Sequence, residues 1–251
     1  MGYAVVLFFL ISGFCIHYPN TSGSIKLCWK TYLIRRFWRI YPAYFAALLF
    51  TAGLSYLCLI LWGDKNWDVS KIFRVATLTQ NYPPESGQFL SNPSLWTIPL
   101  EVEFYLLYPV AFLFFASNRN SLLWIISLGM SAFSILLSYQ GYQWLSFTAL
   151  FLWPSWLLGA WIAKLYRDQK LNRIKLGYLL TLTGLSLGVA LMSRYQSWET
   201  WTQYFAWTAV YSLFFIFCLS HAGLLNRMIG TRLTKAVSWI GKISFSLYSQ
   251  K

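Results

Sequence analysis

The chain has 251 residues, of which 57% are hydrophobic and only 11% charged, and its formal net charge is +13. Soluble domains carry about 25% charged residues, so this composition excludes a soluble globular protein and indicates a membrane protein. The cations fall in short loops between apolar runs rather than in a basic stripe with interleaved aromatics. That distribution fits an anionic membrane surface and argues against nucleic acid as a partner.

Successive apolar runs predict membrane-spanning helices, because a bilayer core of about 30 Å is crossed by about 20 residues. Barrel strands would alternate apolar and polar residues, and these runs do not. The predicted spans are 3–18, 43–62, 95–116, 122–140, 145–163, 177–193 and 203–220, and an eighth begins near residue 237. The predicted fold is an all-α polytopic helix bundle of about seven complete spans and a partial last one, forming a single domain over residues 1–251.

The loops between these runs alternate in charge. Loops 19–42 and 164–176 carry five cations each, whereas most of the acids outside the spans fall in the intervening, cation-poor loops. The positive-inside rule therefore predicts that loop 19–42 is cytoplasmic. The longest loop on the other side is 63–94, which is open to two interpretations, a substrate platform or a plain connection. The apolar residues that predict one face of a short interfacial helix there are Ile72, Phe73, Val75, Ala76 and Leu78.

Loop 19–42 contains the run Arg35-Arg36-Phe37-Trp38-Arg39-Ile40-Tyr41-Pro42. Arg36 and Arg39 are three residues apart and would share a face if this stretch is helical. Pro42 would then begin the following span, where a missing N–H costs little. Two guanidiniums on one face at the cytoplasmic surface can bind phosphates bidentately. A topology anchor among lipid headgroups is the alternative interpretation.

Two carboxylates lie inside the run Ser94-Leu95-Trp96-Thr97-Ile98-Pro99-Leu100-Glu101-Val102-Glu103-Phe104-Tyr105. An acid within a span is costly unless it faces protein or water, so such acids are functional candidates. Glu101 and Glu103 are about 200° apart on a helix and cannot face one site. Because Glu101 shares its face with Tyr105 and Tyr108, we expect it to face the protein interior and Glu103 to be the more replaceable. A structural hydrogen bond between two helices is the alternative role.

A third run, Leu7-Phe8-Phe9-Leu10-Ile11-Ser12-Gly13-Phe14, places a Ser-Gly pair inside an aromatic span. Small residues allow helices to approach closely, and packing alone is the alternative to a functional role. His17 and His221 lie at predicted cytoplasmic span ends, where we expect interfacial residues rather than bases. The sequence has no metal-ligand set, no nucleotide-binding glycine loop and no G-x-S-x-G motif.

Together the three runs resemble the acyltransferase-3 family. The matching segments are Phe8 to Phe14, Arg36 to Pro42, and Leu95 to Glu101 with Phe104-Tyr105, in the family's order and spacing, and Ile243 to Tyr248 resembles the start of its last helix. Residues 5–110 carry most of the resemblance. Family members are multi-pass enzymes of the bacterial inner membrane that move acyl groups, often acetyl, from cytoplasmic acyl-CoA. Their acceptors include surface polysaccharides, peptidoglycan, lipid-linked sugars and some antibiotics.

The resemblance implies an O-acyltransferase in which Arg36 and Arg39 bind the acyl donor and Glu101 is catalytic, with Trp96 and Tyr105 as substrate-binding residues. It implies acyl-CoA, and acetyl-CoA in particular, as the donor, with no permanently bound cofactor. It also implies a cell-envelope glycan as the acceptor. A transporter or flippase for a lipid-linked glycan is the alternative function, because it also needs many spans and a membrane carboxylate. A membrane subunit without turnover is a third.

Family members also carry an essential histidine in a helix before the Phe-Phe-x-x-Ser-Gly-Phe motif, and this sequence begins after that point. Both ends of the sequence look cut, since the first apolar run starts almost at Met1 and the last stops at Lys251. We therefore expect residues 1–251 by themselves to show no acyl-transfer turnover, because neither His17 nor His221 is expected to reach a site near Glu101.

Overall fold

A computed structural model describes residues 3–21, 28–63, 68–84 and 93–224. Within these ranges the chain forms α-helices and short 3-10 turns, with no strand. The helices are α1 (Ala4–His17), α2 (Trp29–Trp62), α3 (Val69–Ala76), α4 (Thr97–Ala116), α5 (Asn120–Tyr139), α6 (Ala149–Arg167), α7 (Leu176–Tyr195) and α8 (Thr200–Ser220). Six of them, α2 and α4 to α8, are long and apolar enough to cross a membrane, and α1 is a shorter apolar helix. The all-α polytopic fold is thereby confirmed, and the eighth predicted span lies outside the described residues.

Helix α2 is much longer than the sequence predicts. Residues 29–42 were expected to belong to a loop, but one helix runs from Trp29 to Trp62 with Pro42 inside it. Its 34 residues reach about 51 Å, well beyond a bilayer core of about 30 Å. Arginine is a good helix former, and a proline within a membrane helix frees backbone groups that neighbouring groups can satisfy. The predicted boundary at Pro42 is therefore wrong, and Arg36 and Arg39 lie on a continuous helix.

The first half of α2 packs antiparallel against α4. Trp29 contacts Phe112, with ring centroids 6.0 Å apart, and Tyr32 contacts Tyr108 at 5.3 Å. The partner residue moves back along α4 as the chain advances along α2, which is the register of antiparallel neighbours. The arginine-containing half of α2, rather than its more apolar second half, thus lies beside α4.

Helix α3 packs where α2 passes the start of α4. Val75 is fully buried in a cluster with Tyr44, Leu48 and Leu95, and the Tyr44 hydroxyl donates to the Val75 carbonyl at 2.7 Å. The predicted short helix is present, but its apolar residues do not all share one face, because Phe73 is exposed. A helix this short buries only the residues that meet the cluster, and the remaining members that pack against it are Ile72, Ala76 and Leu78.

Residues 28–157 form one compact unit, and residues 3–21 with 158–224 form another. In the second unit α1 crosses α6 at Leu10 and Gly159, where a Cβ on the glycine would lie 1.9 Å from the Leu10 carbonyl oxygen. Only glycine fits at that crossing. Ser12 and Gly13, the small pair singled out in the sequence, are both buried on α1, but the close approach that the structure defines needs the glycine on α6.

Candidate active site

Most of the predicted site residues meet between α2 and α4. Glu101 is 7% exposed, and the Tyr105 hydroxyl donates a hydrogen bond to its Oε1. These two residues are four apart, so α4 places them on the same face one turn apart. From α2, Arg36 contacts the Tyr105 ring, and Arg39 lies within electrostatic range of the same hydroxyl. The structure therefore brings Arg36, Arg39, Glu101 and Tyr105 into one group.

The Arg36 guanidinium is held by two aromatic rings. Its Cζ lies 5.5 Å from the ring centroid of Tyr32, one turn earlier on α2, and 5.5 Å from that of Tyr105 on α4. Both distances fall within the range of cation–π attraction. The guanidinium also lies within hydrogen-bonding reach of the Tyr32 hydroxyl oxygen, so two rings and one hydroxyl are the contacts that the described part of the chain gives it.

The group lies away from the ends of α4. That helix has 20 residues, which reach about 30 Å, and Tyr105 is about 12 Å along its axis from Thr97. Since Arg36 contacts Tyr105, its guanidinium lies beside the inner part of a membrane-spanning helix. This position follows from the register of α2, whose helical first half, predicted as loop from the sequence, runs alongside α4. The place of Arg36 relative to the cytoplasmic surface stays a prediction.

Tyr32 is a site residue that sequence reasoning missed. It is 7% exposed, and its hydroxyl lies beside the Arg36 guanidinium, while its O–H has no acceptor among the described residues. Its ring also packs on Tyr108, which in turn contacts Trp156 with centroids 6.0 Å apart. The sequence feature that could have identified Tyr32 is its four-residue spacing from Arg36. That spacing places the two side chains on one face only if residues 29–42 are helical.

Glu103 faces a different set of neighbours, as its angular separation from Glu101 predicts. Its Oε1 accepts a hydrogen bond from the Tyr82 hydroxyl at 2.8 Å, and its Oε2 accepts one from the Ala149 N–H at 2.6 Å. Ala149 is the first residue of α6, so the carboxylate satisfies a helix-terminal N–H and complements the helix dipole. Burial and the neighbouring Glu103 charge raise the pKa of Tyr82, so this hydroxyl stays protonated and able to donate.

Trp96 lies in a separate, hydrogen-bonded region before α4. It is 6% exposed and packs edge-on against Phe147, with ring centroids 5.6 Å apart. The Asn81 side-chain amide donates to the carbonyls of both Trp96 and Phe147, each at 2.8 Å. These contacts give Trp96 a packing role in this structure, and its predicted role in substrate binding stays a prediction.

The loop that holds Asn81 is fixed from both sides. The buried Gln80 amide donates to the Tyr44 hydroxyl at 3.0 Å and to the Leu95 carbonyl at 3.1 Å. The Arg74 guanidinium donates to the carbonyls of Thr79, Tyr82 and Pro83. Part of the 63–94 loop is therefore a fixed connection between α2, α3 and α4, and whether it also carries substrate stays a prediction.

The two histidines lie in the unit formed by residues 3–21 and 158–224. His17 ends α1 and is 3% exposed, and its place at the membrane interface stays a prediction. Packing within that unit covers the ring, and the charge of Lys164 acts on it. His221 is half-buried, and its Nδ1 lies 2.8 Å from the Ser220 hydroxyl.

Comparison with known proteins identifies one matching family. The model of the acyltransferase-3 family, described as an acyltransferase domain, matches residues 1–249. Neither the curated proteins nor the solved structures gave a significant match. The family match covers α2, α4 and the residues that they bring together.

Proposed function

Because this chain belongs to the acyltransferase-3 family, we propose that it is the O-acyltransferase of an acyl-CoA-dependent reaction at the cell envelope. The protein is a membrane acyltransferase. The proposal is that it lies in the bacterial inner membrane and moves an acyl group, acetyl in the first instance, from cytoplasmic acyl-CoA to a hydroxyl of an envelope sugar or polysaccharide.

One observation carries this proposal: a guanidinium held between two aromatic rings lies one tyrosine away from a buried carboxylate. Arg36 rests on the ring of Tyr105, and the hydroxyl of that ring donates to Glu101. An arginine with open donors fits an oxygen-rich ligand such as an acyl donor. A buried carboxylate fits the handling of a proton from an acceptor hydroxyl.

The reaction then runs as follows. The acceptor hydroxyl oxygen attacks the thioester carbonyl carbon, so that a C–O bond forms and the C–S bond breaks. Glu101 takes the hydroxyl proton, directly or from the histidine that the family resemblance implies, and the proton ends on the CoA thiolate. General acid–base help of this kind typically contributes about 10² to 10⁴ in rate.

The test uses membranes from cells that express the protein from its own gene. Labelled acetyl-CoA is added, and both free CoA thiol and label in envelope glycan are measured. We expect saturable consumption of acetyl-CoA that Glu101→Gln abolishes. A transporter or flippase would not consume acetyl-CoA. The absence of saturable consumption would therefore refute the proposed function.

A further inference from the structure

Two groups that can donate hydrogen bonds lie side by side next to Tyr105. One is the Arg36 guanidinium, which the Tyr32 and Tyr105 rings hold at 5.5 Å each. The other is the Tyr32 hydroxyl, which is buried and lies beside that guanidinium, and whose O–H has no acceptor among the described residues. Buried polar groups are nearly always paired, and a guanidinium has five N–H donors, more than one hydroxyl can accept. The unpaired Tyr32 O–H beside that guanidinium therefore indicates a ligand that supplies acceptor oxygens.

We propose that Arg36 and Tyr32 together bind the carbonyl oxygen of the acyl thioester and stabilise the oxyanion that forms on it. This inference rests on the proposed function, since it names the part of the acyl donor that these residues contact. An acyl-CoA has two kinds of acceptor oxygen that suit an arginine, the thioester carbonyl and the phosphates. The position of the donors favours the carbonyl.

Distance is the first reason. The Arg36 guanidinium and the Glu101 carboxylate are separated by the side chain of Tyr105. A carbonyl on the one and a hydroxyl on the other can therefore approach to the roughly 3–3.5 Å that reaction needs. The phosphates of CoA are roughly thirteen bonds from its sulfur, or about 15 Å at the reach of an extended peptide. A phosphate on Arg36 would thus allow the thioester to lie far from Glu101.

Charge is the second reason. Arg36 lies beside the inner part of α4, a membrane-spanning helix, where charged groups are costly. The phosphates of CoA carry several charges that one guanidinium cannot neutralise. The thioester carbonyl is neutral in the bound donor and becomes charged only in the transition state, which is where a fixed cation has its effect.

The residues act on the reaction in one step. As the hydroxyl oxygen bonds to the carbonyl carbon, the C=O electron pair moves onto oxygen, where the guanidinium and the Tyr32 O–H donate to it. The pair returns to re-form the carbonyl as the C–S bond breaks and the thiolate leaves. Two ring faces fix the guanidinium before the reaction, so the donors need little reorganisation. Removing one such donor elsewhere costs about 10² to 10³ in kcat.

The experiment compares two acyl donors, acetyl-CoA and acetyl-pantetheine, which keeps the thioester and lacks the phosphates. Native membranes carrying wild type, Tyr32→Phe, Arg36→Lys or Arg36→Ala are assayed with each. We expect Tyr32→Phe and Arg36→Ala to lower kcat by about 10² to 10³ with either donor, with the KM for acetyl-CoA little changed. Arg36→Lys should fall between, because it keeps the charge and loses the fork. Arg35→Ala, an exposed neighbour on the same helix, is the matched control and should match wild type.

Arg36→Ala could be slow with acetyl-CoA but as fast as wild type with acetyl-pantetheine. That result would show that Arg36 binds phosphate, and it would overturn the inference. If wild type accepts only acetyl-CoA, the decisive result is the kinetics of Arg36→Ala with that donor. A raised KM for acetyl-CoA with an unchanged kcat would also show that Arg36 binds phosphate and would overturn the inference. If Arg36→Ala does not fold, Tyr32→Phe decides, since it keeps the ring, and an unchanged kcat would refute the role of the hydroxyl. Transfer from neither donor by wild type would instead refute the proposed function, and this inference with it.

Discussion

Replacing Glu103 tests whether it is a structural carboxylate, in contrast to Glu101, for which we propose a catalytic role. Its two oxygens accept hydrogen bonds from Tyr82 and from the first N–H of α6. Hydrogen bonds to a charged group contribute about 1.5–3 kcal/mol each, so Glu103→Ala should cost about 3–6 kcal/mol. The upper end applies if the freed groups stay away from water. For a chain of this length, 1 kcal/mol shifts the melting temperature by about 2–4 °C, so we expect a fall on the order of 10 °C.

Glu103→Gln should behave differently. The amide oxygen can still accept from the Ala149 N–H, and the amide nitrogen can donate to the Tyr82 hydroxyl, which then acts as acceptor. Only the charge assistance is lost, so we expect about 1–2 kcal/mol. Most of the acyl-transfer activity should survive. The sequence argument that Glu103 is the more replaceable acid thus applies to glutamine but not to alanine.

The assay is thermal unfolding of the detergent-solubilised protein, followed by acyl transfer in membranes at a temperature where each variant is folded. Glu199→Ala is the matched control, because this acid is exposed and its side chain makes no capping hydrogen bond at α8. A Glu103→Ala protein that melts with wild type would refute the structural role. Loss of turnover by Glu103→Gln in a stably folded protein would show that Glu103 takes part in the chemistry.

Three further predictions follow from other contacts. Glu101→Gln should abolish acyl transfer while leaving the melting temperature within a few degrees of wild type, and transfer at wild-type rate would remove Glu101 from the mechanism. Gly159→Ala should destabilise by about 1–3 kcal/mol or more, because its Cβ would meet the Leu10 carbonyl at 1.9 Å, whereas Gly184→Ala, with open space, should not. In a background without native cysteines, an impermeant thiol reagent should label a cysteine at Asp68 and not one at Lys30 from outside intact cells, and the reverse pattern would contradict the predicted topology.

Much of the fold was predictable, because lipid allows few backbone arrangements. The spans between residues 95 and 220 were expected within a few residues of α4 to α8, since hydropathy marks where a chain enters the hydrocarbon. The same signal failed at α2, because hydropathy records which residues avoid water and not where a helix starts. The segment from Trp29 to Pro42 carries arginines and reads as a loop, yet it continues the helix.

Several members of the candidate group were predictable from the sequence, but their arrangement was not. Arg36, Tyr105 and Glu101 were chosen from motifs, and the structure places them together. Tyr32 was missed because its relation to Arg36 needs a helix that the sequence did not predict. The partner of Glu103 was also out of reach, since Ala149 is 46 residues away in the chain and no local pattern connects a carboxylate to the start of a later helix.

The two acids of α4, Glu101 and Glu103, face different neighbours. With residues about 200° apart, neither acid can take over the position of the other. Glu103 has both oxygens engaged by donors of the fold, Tyr82 and Ala149, so a substrate would have to displace a structural hydrogen bond to reach it. Glu101 receives a hydrogen bond from Tyr105, a residue that also holds Arg36. A change at Tyr105 should therefore affect the carboxylate and the guanidinium together, whereas a change at Tyr82 should affect stability alone. Tyr105→Phe keeps the ring for Arg36 and removes only the hydroxyl, so a fall in kcat without a fall in melting temperature would assign that hydroxyl to positioning Glu101.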